Sequence, residues 1–236
     1  MRRFFKRIGI LLIAVMMCLV IFGWWMHEEL PKGKEGDAAD ALAHKMLAAL
    51  NHSAYEKIRF LEWSFQKGTN NYIWDKQTGQ VKINWDEITV NLELTDLDKS
   101  EVLRKGRPIG SEEKQKLIEK ALKNFNNDSF WLVAPYKVFD KGTQRAIVGL
   151  EDGTEGLLVT YALGGTTPGD SYLWILDEKG LPKAYKMWVK IIPVGGLEAS
   201  WEDWFISQSG AHLPKSHKLG PFTLKMGDVR AYTEER

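Results

Sequence analysis

The segment V-K-I-N-W-D-E-I-T-V-N-L, from Val81 to Leu92, decides the reading of the fold. Val81, Ile83 and Trp85 alternate with polar residues as far as Asp86-Glu87, after which Ile88, Val90 and Leu92 alternate in the opposite phase. A period of two is that of a half-buried strand. A two-residue turn at Asp86-Glu87 sets Trp85 opposite Ile88, Ile83 opposite Val90 and Val81 opposite Leu92, so that all six share one face. Asp-Glu is a poor hairpin turn by composition, and a bulge in one long strand is the alternative. Either way the sheet has one apolar and one polar side.

The same alternation extends to both sides. Phe60 to Phe65 (FLEWSF) reads as a strand, Asn70-Asn71 as part of a turn, Tyr72 to Trp74 as the returning strand and Asp75 to Gly79 as the next turn. Upstream, Asp37 is placed as an N-cap, and Leu42, Met46, Ala49 and Leu50 describe a helix with one apolar face. His44 and His52 on that stretch are more than two turns apart and cannot share a metal. Downstream, Asp96 to Gly110 reads as a charged loop, and Ser111 as the cap of a second helix with Leu117, Ala121, Leu122 and Phe125 on one side.

The second half is a succession of strands. Arg145 to Leu150 and Gly156 to Ala162 flank Glu151-Asp152-Gly153, while Tyr172 to Leu176 and Leu181 to Ile192 flank Asp177 to Gly180. Trp201 to Ser207 and Ala211 to Leu213 flank Ser209-Gly210, and Phe222 to Met226 ends the series. The pattern is α+β: about ten or eleven antiparallel strands covered by two or more helices.

Ahead of this domain lies IGILLIAVMMCLVIFGWW, Ile8 to Trp25, uncharged and preceded by Arg2, Arg3, Lys6 and Arg7. As a helix it would cover roughly 27 Å, close to the hydrocarbon thickness of a bilayer. Its Ile, Leu, Val and Phe residues favour insertion by roughly 3 to 6 kcal/mol together. Three readings compete: an uncleaved anchor, a cleaved signal peptide, and a lipoprotein signal using Cys18. Phe22-Gly23-Trp24-Trp25 supplies no small-residue cleavage pattern, and Met17 precedes Cys18 where a small residue is expected, so the anchor is favoured. Its contacts with lipid would come from Ile8, Leu11, Leu12, Val15, Leu19, Phe22, Trp24 and Trp25. The expected organisation is a cytoplasmic basic end (1–7), a transmembrane anchor (8–25), a polar tether (26–36) and an extracytoplasmic domain (37–236), with the N-terminus inside.

Removing the first 25 residues, four of them basic and none acidic, takes the formal charge from +1 to −3. The exported part is therefore a poor candidate for nucleic-acid binding. The single cysteine lies in the apolar run, so no disulfide staples the domain. Eight of the ten tryptophans lie beyond the run and supply ample core.

The string N-D-S-F-W-L-V-A-P (Asn127 to Pro135), continued by Tyr136 to Gly142, is followed later by Trp201-x-x-Trp204 and by Ser209-Gly210-Ala211-His212-Leu213-Pro214. With Trp63-Ser64-Phe65, these resemble periplasmic proteins of the outer-membrane lipoprotein carrier (LolA/LolB-like) fold, in the uncharacterised branch common in Bacteroidetes-type bacteria. The resemblance covers roughly Asp37 to Val229. It implies a periplasmic domain built as a curved, incomplete antiparallel barrel (a half-barrel) whose open side is covered by helices around an apolar cavity for acyl chains; with the anchor, the expectation is a single-pass bacterial inner-membrane protein. The characterised carriers are soluble or lipid-anchored, whereas this chain is read as held by a helix. Their cavity-gating arginine has no counterpart that can be placed here, so no functional residue is carried over.

Enzymatic signals are sparse. H-E-x-x-H, G-x-S-x-G, P-loop and cysteine-nucleophile patterns do not occur. Ser111 and Lys114 form an S-x-x-K string without the S-D-N and K-T-G partners its chemistry needs. Gly164 to Asp170 reads as a wide turn, and Asp140, Glu151, Asp152 and Asp170 as scattered acidic turn residues rather than a calcium site. No enzyme activity, cofactor or metal is expected. Two classes remain: a membrane-tethered binding module for a lipid or lipoprotein acyl chain, and an envelope protein-interaction or structural domain with a filled core. For the first, the cavity candidates are Phe60, Trp63, Phe65, Trp74, Ile83, Trp85, Val90, Trp174, Trp188 and Trp201.

Overall fold

A computed structural model describes residues 15–17, 23–164 and 166–234. The Val81–Leu92 segment forms the expected hairpin. Strands β4 (Gln80–Trp85) and β5 (Ile88–Glu93) pair with Trp85 opposite Ile88, Ile83 opposite Val90 and Val81 opposite Leu92, and all six side chains are buried. The bulge alternative therefore falls away. Asp86 enters the turn at φ 49°, a left-handed conformation that a short polar side chain tolerates. Strand β2 (Phe60–Phe65) precedes the hairpin as expected, and β3 (Asn70–Asp75) begins two residues earlier than expected, since Asn70 and Asn71 pair with Phe65 and Ser64 rather than forming the turn.

The charged loop expected between Asp96 and Gly110 is in fact largely a further hairpin. Strand β6 (Glu101–Arg104) and β7 (Arg107–Pro108) are joined through Lys105 and Gly106, both at positive φ. Only Val102 points inward, opposite Val90, so the segment carries almost no periodic signal.

Sixteen strands occur among the described residues, rather than ten or eleven. The additional ones are two to four residues long, too short to show alternation: β1 (Lys34–Glu35), β6, β7, β12 (Leu197–Ser200) and β16 (Arg230–Tyr232). The remaining strands are β8 (Thr143–Gly149), β9 (Glu155–Tyr161), β10 (Asp170–Leu176), β11 (Pro182–Trp188), β13 (Asp203–Ile206), β14 (His212–Leu219) and β15 (Phe222–Lys225). They form three antiparallel sheets, in the orders β16-β2-β3-β4-β5-β6-β7, β1-β8-β9-β10-β11-β12 and β13-β14-β15. The fold is α+β with open antiparallel sheets and few helices.

Helix α1 (Asp37–Ala49) is followed, through Asn51 in the left-handed region, by the short α2 (His52–Glu56). Its N-cap is Gly36 rather than Asp37, which sits in the first turn with Asp40, where both carboxylates favour the helix dipole. Asp40 also receives a 2.5 Å hydrogen bond from Arg145 Nε on β8. Helix α3 (Ser111–Val133) likewise starts after Gly110, and Ser111 makes no side-chain cap. Ile118, Ala121, Phe125, Leu132 and Val133 form its buried stripe. The helix serves two sheets: Phe125 packs edge-on against Trp74 at 5.2 Å, whereas farther along Phe130 meets Tyr172 at 4.7 Å and Trp131 meets Tyr185 at 5.6 Å. One hydrophobic core runs through all three sheets.

The tether is not free. Glu28 N–H donates to the Gly195 carbonyl at 3.0 Å, the Trp188 indole donates to the Glu28 carbonyl at 2.8 Å, and Lys34–Glu35 pairs with β8. Residues 27–35 thus form a strap across the outer face of the six-stranded sheet. That face carries its own small apolar cluster, Ala146, Val148, Leu158 and Leu173, with Trp188 beside it. Gly33 fits because a Cβ there would stand 2.6 Å from Ala146 Cβ.

Of the expected anchor, Ile8, Leu11, Leu12, Leu19 and Phe22 lie outside the described residues, while Val15, Trp24 and Trp25 are exposed. Among the described residues no helix is long and apolar enough to cross a membrane.

Candidate ligand-binding cleft

A cleft of about 210 Å³ opens between α3 and the inner face of the six-stranded sheet. On the helix side it is lined by Lys123, Asn126, Asn127, Phe130 and Trp131. These stand at i, i+3, i+4, i+7 and i+8, a single helical face that changes from polar to aromatic along its length. On the sheet side, Tyr161, Tyr172, Tyr185 and Met187 come from β9, β10 and β11, with Val189 just beyond. The register places Tyr172 opposite Met187 and Tyr185 opposite Trp174, so inner positions recur on three neighbouring strands.

The walls are a continuous aromatic surface. Phe130 lies 5.4 Å from Tyr161 and 4.7 Å from Tyr172, and Tyr172 lies 5.1 Å from Tyr185. Beneath Tyr185, fully buried Trp174 and Trp201 form the next layer, each within 5.5 Å of its ring. The Tyr185 hydroxyl and the indole N–H groups of Trp174 and Trp201 lack partners in hydrogen-bond geometry. The Trp201 N–H is near enough only to favour the phenolate slightly. An unsatisfied buried group of this kind costs about 1–3 kcal/mol, and of the three residues only Tyr185 lines the cleft, where a hydrogen-bonding ligand or water could recover that cost.

Burial pushes the Tyr161, Tyr172 and Tyr185 hydroxyls well above the ordinary phenol range, reinforced by Tyr172 beside Tyr161 and Tyr185 and by Asp170 beside Tyr172. They are therefore neutral hydrogen-bonding groups near pH 7, unsuited to act as bases.

The mouth is polar and braced. Asn126 donates to Thr166 Oγ1 at 3.0 Å. Asp170 is buried, accepts from the Thr167 hydroxyl and from the Lys190 N–H, and so clasps the turn before β10 to the one after β11.

The ten expected cavity residues lie elsewhere. Phe60 stacks on Tyr232, Trp63 stacks on Tyr72 at 4.6 Å, and Trp74 meets Phe125. Phe65, Ile83, Trp85 and Val90 belong to the packed core of the seven-stranded sheet, and the Lys120 ammonium sits 5.2 Å over Trp85. Trp174 and Trp201 lie one layer below the cleft, and Trp188 faces the strap on the opposite side of its sheet. The expected tryptophans of the strands divide between the two larger sheets and none lines the cleft, which is marked by tyrosines on adjacent strands and by the polar-to-aromatic helix face that carries Trp131.

Asp140 pairs with Lys137, and Asp152 binds Thr154 of its own turn. Among the described residues no three His, Cys, Asp or Glu side chains come together as a metal site. His44 stacks on Phe139 at 4.5 Å, and His52 lies beside Tyr55 and Tyr136. No protein-family model matches this sequence, and no curated protein is significantly similar to it.

Proposed function

We propose that this chain is a non-catalytic, membrane-tethered binding module of the bacterial envelope, a curved half-barrel that holds an apolar ligand between α3 and strands β9–β11. The observation that carries this reading is the open cleft with its continuous aromatic walls between α3 and the six-stranded sheet. Its size limits the ligand. About 210 Å³ is less than the roughly 300–1,000 Å³ of pockets for drug-sized molecules, and more than the about 150 Å³ that accepts benzene in a dry engineered cavity. One acyl-chain segment or one ring system fits, whereas the several chains of a lipoprotein anchor do not. Each methylene buried there contributes about 0.8 kcal/mol. The competing reading, a domain that recognises an envelope protein, draws on exposed Ile206 and Phe222 of the three-stranded sheet.

The test uses the full chain in detergent-free, polymer-bounded membrane particles. An apolar fluorophore is followed by energy transfer from tryptophan, in the native protein and in Val189→Trp, which fills the cleft. Saturable transfer, displaced by a fatty acid and lost in the variant, is expected. Transfer that never saturates, or that the variant leaves unchanged, removes the proposal.

A further inference from the structure

The chain enters the domain beside the mouth of the cleft. A Cβ on Gly23 would stand 3.7 Å from Val194 Cγ2. Just beyond, His27 Nδ1 accepts the Gly195 N–H at 2.9 Å, and Glu28 N–H donates to the Gly195 carbonyl at 3.0 Å. Val194 and Gly195 belong to the connection between β11 and β12, and the same connection supplies Ile191 and Ile192 to the cleft mouth.

Large apolar side chains stand in water on the segments that meet at this mouth: Ile191 among its lining residues, Leu163 on the β9–β10 connection that also supplies Thr166 and Thr167, and the tryptophans that follow Gly23. Ile191 is 63% exposed and Leu163, just after β9, is 61% exposed; Trp24 and Trp25 are 82% and 80% exposed. Two exposed cations accompany them: Lys123 on the helix wall, and Lys190, whose ammonium lies 3.6 Å from where a Gly169 Cβ would be. Exposed aliphatic groups, tryptophans and lysines together are the composition of a surface that rests in a lipid interface.

We infer that this rim, centred on Leu163 and Ile191, is a bilayer-contact surface and that the cleft opens onto the membrane. The inference rests on the proposed reading of the cleft and on the apolar run ending at Trp25 as the anchor. Geometry leaves the connection little slack. With Trp25 at the interface, the two residues to His27 span at most about 7 Å, and His27 is already bonded to Gly195. The β11–β12 connection is thereby held within about one Debye length of the lipid headgroups. A ligand chain would then pass from bilayer to cleft without crossing water, whereas a free tether would impose no such orientation.

Ile206 and Phe222 provide the control, being 60% and 67% exposed on the three-stranded sheet, whereas the strap is bonded to the six-stranded one. The full chain, carrying Cys18→Ser, is labelled with an environment-sensitive dye at Leu163→Cys, Ile191→Cys, Ile206→Cys or Phe222→Cys. Each form is reconstituted in phosphatidylethanolamine/phosphatidylglycerol vesicles containing spin-labelled lipid. Quenching several-fold stronger at 163 and 191 than at 206 and 222 is expected. Equal quenching, stronger quenching at 206 or 222, or none at any position overturns the inference. The apolar-probe measurement in the same vesicles separates the two ideas. A quenched rim with a cleft that takes no probe would leave the docking surface standing and remove the ligand reading.

Discussion

The Tyr72 hydroxyl on β3 donates to the buried carboxylate of Asp128 on α3 at 2.5 Å, and Asn70 Nδ2 donates to the same oxygen at 2.9 Å. This polar contact pins the C-terminal part of the helix to the seven-stranded sheet, within the stretch Lys123 to Trp131 whose other side lines the cleft.

Asp128→Ala leaves both the Tyr72 and Asn70 donors buried without an acceptor, and is expected to destabilise the fold by about 2–5 kcal/mol. Tyr72→Phe should lose about 1–2 kcal/mol, and the double variant should show a coupling of about 1 kcal/mol or more, because the two groups act as one unit. Denaturant unfolding measures all three. A change within about 0.5 kcal/mol for Asp128→Ala, the range of ordinary surface substitutions, would show that the contact does not hold the helix.

His217 is fully buried, with each ring nitrogen 2.8 Å from a carbonyl oxygen, those of Ser200 and Trp131. Only an imidazolium could donate to both. Burial nevertheless outweighs the two carbonyls and holds the ring below its ordinary 6.5. Between 6.5 and the folded value, the unfolded chain binds the proton and the folded chain does not, so stability falls as pH falls through that window. His217→Gln keeps an N–H donor but cannot titrate, and its unfolding free energy should lose less across the same window. Parallel pH profiles for the two proteins would show that His217 carries no such linkage.

Gly33 lets the strap lie on the outer face of the six-stranded sheet, with Ala146, the Ile147 carbonyl and Val148 around its α-carbon. Gly33→Ala would press a methyl group into that contact, and overpacking of this kind costs about 1–3 kcal/mol. The strap should lift. Proteolytic cleavage between Glu28 and Lys34 should accelerate, and the emission of Trp188 should shift to the red as Glu28 withdraws its carbonyl. Unchanged cleavage would mean that the close fit at Gly33 does not decide whether the strap stays down, its other bonds sufficing, among them the Lys186 ammonium 2.8 Å from the Glu28 carboxylate.

The hairpin from Val81 to Leu92 was legible because register follows from two residue properties, alternation and turn length, both local. The helices were legible through their apolar stripes, although their caps were not, since Gly36 and Gly110 occupy the positions assigned to Asp37 and Ser111. The short strands β1, β6, β7, β12 and β16 carry too few residues for a period to emerge, and only pairing with a neighbour makes them strands.

The cleft belongs to the tertiary structure. Tyr161, Tyr172 and Tyr185 are a dozen residues apart, and nothing local says that they share a face with Phe130 and Trp131 or that the space between them stays open. Whether an aromatic residue fills a core or lines a cavity depends on the volume that distant elements leave around it, a sum over the whole packing. By itself the sequence determined the α+β class, the antiparallel pairing and the register of the central hairpin, because these rest on periodicity and chain geometry. Tertiary packing alone decided that a cleft stays open beside Tyr161, Tyr172 and Tyr185, that the expected tryptophans of the strands pack outside it, and that residues 27–35 are a strap.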